Sequence, residues 1–185
     1  MVSKAHIVVA ALATLAIALG GQSRPAEADA VFLSVIDTDM ADTWKPGLAN
    51  MHVGLRVWAL DDLPGALDVL ARWTEGVTEP GARDALEAER ANLLASTGGV
   101  AEALAIAAPM VDDQDRSHLA RCRAFEPLAL AAVQVGRTDH VAEIAPGLAL
   151  RAMSLRQVNS MAPTWVATGY FAVLVARGGL EDAIR

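Results

Sequence analysis

Between Ala91 and Met110 the chain reads ANLLASTGGVAEALAIAAPM: an apolar helical run, a Gly98-Gly99 stop, and a second run opening at Val100. Glycine ends helices because the residue just past the last turn usually takes a positive φ, which glycine adopts at no steric cost. The same sentence recurs. RTDHVAEIA follows Gly136, GLEDAIR follows Gly178 and DLPGALDVL follows Asp61. In each copy a small or apolar residue lies five positions beyond the punctuating one: Ala103, Val141, Ala183 and Ala66. A looser copy follows Gly20, where Gln22-Ser23-Arg24 lengthen the turn before Pro25-Ala26-Glu27-Ala28. Successive intervals along Ala28, Ala66, Ala103, Val141 and Ala183 are 38, 37, 38 and 42 residues. A steady period of that length, with two helices per unit, predicts an α-solenoid.

The expectation is therefore an all-α chain, one array over residues 1–185 made of about five helix-turn-helix repeats. The units fall at 3–36, 46–73, 82–110, 118–155 and 163–185, the last cut short after Leu180–Arg185. The composition suits this. Of the 185 residues 54% are hydrophobic but only 4% aromatic, and small alanine side chains let helices approach closely. A net charge of −7, with only Lys4 and Lys45 as lysines, lacks the clustered basic face that nucleic acid requires. One cysteine, Cys122, excludes an internal disulfide, and the four histidines are spread too widely to complete a zinc site around it. No glycine-rich phosphate loop, HExxH pair or nucleophile elbow occurs, so neither a catalytic residue nor a cofactor is assigned.

Individual residues carry further expectations. The acids of Asp37-Thr38-Asp39-Met40-Ala41-Asp42 read as helix caps rather than a calcium loop, which would need a glycine and a distal glutamate. Leu48, Met51, Leu55 and Trp58 recur at three- and four-residue steps, and Trp44, Trp58 and Trp73 read as packing residues rather than a stacking platform. Pro127 and Pro146 fall inside helical patterns and should kink or break them. Ser117 beside His118 lacks the surroundings of a nucleophile. Ile7–Leu19 is read as the first helix of the array, which makes the chain cytoplasmic. The alternative is a secretory signal cleaved after Ala28-Asp29-Ala30, which would place the mature chain outside the cytoplasm. Thirteen apolar residues are too few for a membrane anchor. A last helix of under two turns leaves apolar surface for self-association through an open C-terminal end.

The order VWALDDLPGALDVL (57–70), RANLLASTGGVAEALAIA (90–107), PLALAAVQVGR (127–137), APGLALRAM (145–153) and AVLVARGGLEDAI (172–184) resembles a known family. It is similar to the tetratricopeptide-like (TPR-like) middle section of the large ATP-binding LuxR-family transcriptional regulators of actinobacteria. The Walker lysine and the DNA-binding helix-turn-helix of that family have no counterpart in these residues, and the asparagine expected before Trp58 is absent. The resemblance implies a fragment of a signal-sensing regulator: a non-catalytic scaffold whose concave face receives a small inducer or a protein partner. An exported helical-repeat adaptor is the alternative.

Overall fold

The computed structural model describes the backbone of residues 4–179 and the side chains from residue 7 onward, so Ala183 and the expected helix Leu180–Arg185 lie outside the described residues. Within that range the chain is helical, with no strand. The helices are α1 (Lys4–Gly21), α2 (Pro25–Ile36), α3 (Lys45–Gly54), α4 (Leu63–Thr74), α5 (Pro80–Ser96), α6 (Val100–Asp112), α7 (His118–Gln134), α8 (Asp139–Leu155) and α9 (Ala162–Ala176). A short 3-10 turn, Asp42–Trp44, leads into α3, and a π turn, Leu55–Ala59, comes directly after it.

The eight prolines account for much of this punctuation. Pro25, Pro46, Pro64, Pro80 and Pro163 all stand in the first turn of a helix, where a missing N–H leaves no bond unmade. The other three, Pro109, Pro127 and Pro146, lie inside α6, α7 and α8, and those helices are continuous through them. Of the kink or break expected at Pro127 and Pro146, no break occurs. An interior proline costs about 3 kcal/mol. In α7, which packs against α6, α8 and α9, burial of ten of 17 residues offsets that cost.

The chain forms two compact units, Met1–Leu86 and Glu87–Arg185. In the first, α1 packs on α2 and α3 on α4, around Phe32, Val35, Leu70 and Trp73. Val9, Ala16 and Leu19 tie α1 into that core. In the second, α7 lies against α6, α8 and α9, around Phe125, Met110, Val141 and Val166. There Gly169 of α9 crosses α7 so closely that a Cβ would stand 3.0 Å from the Ala129 Cβ.

One expectation about the first unit is overturned. Trp58 does not continue the buried stripe of α3 but is 85% exposed. The buried face of α3 runs through Leu48, Ala49, His52 and Val53, and at about 3.6 residues per turn Trp58 falls on the opposite side of it. In the π turn the Leu60 N–H reaches the Leu55 carbonyl at 3.2 Å, five residues back. Trp44 is also exposed, and of these three tryptophans only Trp73 is buried.

Candidate functional site

The repeat positions come first. Ala28, Ala66 and Ala103 are completely buried, and Val141 nearly so. The turns before them share one backbone device. Gly98, Gly136 and Gly178 have φ of +90°, +68° and +77°, and Asp61 has +52°. In the Gly98 turn the next N–H, Gly99, bonds back to the Leu94 carbonyl at 2.9 Å, and Arg137 to Ala132 and Gly179 to Leu174 repeat it at 2.9 Å. These are the six-to-one bonds that close a helix on a left-handed residue. In the N-terminal copy the left-handed residue is Ser23, φ +58°, not Gly20, and Arg24 bonds back to Leu19 at 3.0 Å. Counted from Ser23, Ala28 also lies five positions on. The sequence hid this because serine in that conformation is uncommon.

A polar network occupies the middle of the first unit. His52 of α3 has no exposed surface. Its Nε2 lies 2.8 Å from Asp29 Oδ1 of α2, and the Trp73 indole N–H of α4 donates to its Nδ1 at 3.2 Å. An indole nitrogen only donates, so Nδ1 is bare and Nε2 carries the proton toward Asp29. Phe32 stacks on the imidazole, ring centroids 4.9 Å apart. Burial pushes the His52 imidazole down, aided by the charges of Arg56 and Arg72 and opposed by Asp29. Arg56, on the π turn, holds Asp29 through Nε at 2.7 Å and Nη2 at 2.8 Å, and Asp62 through Nη1 at 2.8 Å. Asp62 in turn caps α4, its Oδ1 accepting from the Gly65 N–H at 3.0 Å. The network thus runs from α2 through the π turn to the start of α4.

Asp42 does not cap its own short helix, as expected of that acidic stretch, but reaches the loop before α5. Its Oδ2 accepts from the N–H groups of Thr78 at 2.7 Å and Glu79 at 3.0 Å. Chiefly the Glu79 bond, then that of Thr78, holds its carboxyl at about 2. Asp37 and Asp39 make no caps of that kind; Asp37 pairs with Arg72 at 2.9 Å.

In the second unit Arg123 of α7 stands over the Trp165 ring of α9, 5.0 Å from its centroid, and its Nε is buried without a hydrogen-bond partner. Burial lowers the Arg123 pKa, while burial and then the charge of Glu89 raise that of Glu126 on the same helix. Ser117 caps α7, its hydroxyl accepting from the Ala120 N–H at 3.1 Å, and His118 faces Arg151. Cys122 is buried with its thiol pushed up by desolvation. No group of three or more metal-ligating side chains comes together among the described residues, and no helix there is long and apolar enough to cross a membrane. Sequence reasoning missed Asp29, His52 and Arg56. The one available signal was a histidine on the buried face of α3, between Leu48 and Leu55.

No family model and no curated protein matches the chain. Among solved structures it is similar to a crystal structure of a Podosopora anserina protein described as a putative kinesin light chain with nearly identical TPR-like repeats. The TM-score is 0.62 at 17% identity, over 95% of this chain and 90% of that one. A single-residue variant of the same protein matches with TM-score 0.64 at 16% identity, over 95% and 89%. Likeness at that identity establishes the fold. The chain is an all-α protein with the TPR-like helical-repeat fold, an α-solenoid.

Proposed function

We propose that the chain is a non-catalytic protein-interaction scaffold, the signal-sensing section of a regulator similar to the LuxR family of actinobacteria. The observation that carries the scaffold reading is the TPR-like fold, whose stacked hairpins serve in general as extended binding surfaces, while the regulator reading rests on the order of the sequence motifs. The five units form one array, and Ala28, Ala66, Ala103, Val141 and Ala183 mark the hairpin contacts, with Gly98, Gly136 and Gly178 as the stops before them. The concave face of the array takes a protein partner or a small inducer, without a cofactor. The chain works in the cytoplasm with α1 retained, a reading supported by Val9, Ala16 and Leu19 in the core. Exposed Phe171 and Val175 on α9 support self-association through the C-terminal surface.

The test is the DNA that flanks the reading frame, together with binding of the encoded neighbours to the purified chain. The reading expects a P-loop ATPase and a helix-turn-helix protein that bind it, while the chain alone neither hydrolyses ATP nor shifts a DNA probe. Neighbours without those domains, or salt-sensitive DNA binding by the chain itself, would contradict it. A mature protein beginning at Val31 would assign the chain to export.

A further inference from the structure

The hydrogen bonds of His52 are compatible with one protonation state. Nδ1 accepts from the Trp73 N–H, and Nε2 donates to Asp29 Oδ1. A second proton has no place but Nδ1, where it would meet the indole N–H across 3.2 Å, donor against donor. The ring has no exposed surface, so water cannot take the indole's place without the helices moving. We propose that His52 is an acid-sensitive latch on α2, α3 and α4: a proton taken from solvent onto Nδ1 displaces the Trp73 indole and releases these helices from one another.

The charged groups around the ring favour this direction on balance. From α2 it faces Asp29, from the π turn Arg56, and from α4 Arg72, while Phe32 and Trp73 contribute only uncharged rings. Asp29 alone would welcome an imidazolium, but Arg56 already engages both of its oxygens, and Arg72 adds a second positive charge. Asp62 and Asp37 are each bound to one of those arginines. Burial, the two cations and the indole donor all oppose the proton.

These groups fix the sign. Once the helices part, His52 takes up a proton below its ordinary value of 6.5, while in the closed state burial holds that uptake to lower pH. Acid therefore favours opening. One site that protonates more readily when open multiplies the opening equilibrium by up to about ten between pH 7.5 and 5.5. The device lies wholly in the first unit and does not rest on the proposed function.

Amide exchange of the full chain, corrected for the intrinsic pH dependence of exchange, reads this directly. Protection of the Phe32, Val53 and Leu70 amides should fall by up to about tenfold from pH 7.5 to 5.5, while that of Phe125 and Ala129 changes less than twofold. His52→Gln keeps a donor and an acceptor but does not titrate, and should abolish the fall. Trp73→Phe removes the opposing donor but leaves burial and both cations, and should reduce the fall without abolishing it. It serves also if His52→Gln does not fold. A fall of less than threefold in the unaltered chain would overturn the latch, and so would an undiminished fall in Trp73→Phe.

Discussion

Replacing Gly169 by alanine sets two effects of opposite sign against each other. Alanine in a helix interior is favoured over glycine by about 1 kcal/mol, and burying one more methyl group adds about 0.8 kcal/mol. Both would stabilise the chain if there were room. The new Cβ would lie 3.0 Å from the Ala129 Cβ and 3.1 Å from two Phe125 ring carbons, where apolar carbons prefer about 3.5–4.0 Å. Ala129 and Phe125 are completely buried, and the Ala129 Cβ has no torsion by which to withdraw. Only a shift of α9 away from α7 relieves the contact, at the upper end of the roughly 1–3 kcal/mol range for overpacking. Overpacking wins, with a net loss of about 1 kcal/mol. Gly147→Ala, on α8, is the control, since nothing lies within 4 Å of a Cβ there. It should gain about 0.5–1 kcal/mol. In urea unfolding with a slope of roughly 1–3 kcal/mol per molar, the two midpoints should move in opposite directions. A Gly169→Ala midpoint at or above that of the unaltered chain would refute the claim that α7 and α9 are in contact at this glycine.

The remaining expectations concern the first unit. Trp58→Ala should change stability by no more than about 0.5 kcal/mol, because the side chain is solvated. Trp73→Ala should cost about 3–5 kcal/mol in the same unfolding assay, since that ring is buried. The folded Asp42 carboxyl sits at about 2 against an ordinary 3.8, so its contribution is complete above 3.8 and vanishes as pH falls through 2. Asp42→Asn should remove that part of the acid loss, visible as a shallower fall of melting temperature between pH 4 and 2.

The helical repeat fold was legible in its turns. A glycine at the left-handed position and proline in the first turn are local requirements, met by residue type wherever they arise, so Gly98, Gly136 and Pro64 can be read without the structure. The misreadings come from effects that residue type does not carry. Leu48, Met51, Leu55 and Trp58 satisfy helical spacing, but the face the fold buries is Leu48, Ala49, His52 and Val53, which is decided by what α3 packs against. Ser23 takes a conformation serine seldom adopts, which displaced the start of the first copy to Gly20. No break follows Pro127 or Pro146, the alternative that local cost alone allowed, because α7 and α8 are held by their packing. The polar network was out of reach for a different reason. Asp29 lies 23 residues from His52 and 27 from Arg56, and only the pairing of α2 with α3 brings them together.

The repeat register is the claim on which the rest depends, and Ala103 tests it most directly. Ala103 and Ala101 lie on α6 two residues apart, the first completely buried and the second exposed. If Ala103 is the point where the hairpin closes, Ala103→Leu should lower the unfolding free energy by about 1–3 kcal/mol. Ala101→Leu should leave it within about 0.5 kcal/mol. Equal unfolding midpoints for the two variants would contradict the register, and with it the assignment of Ala28, Ala66 and Val141 to the same role.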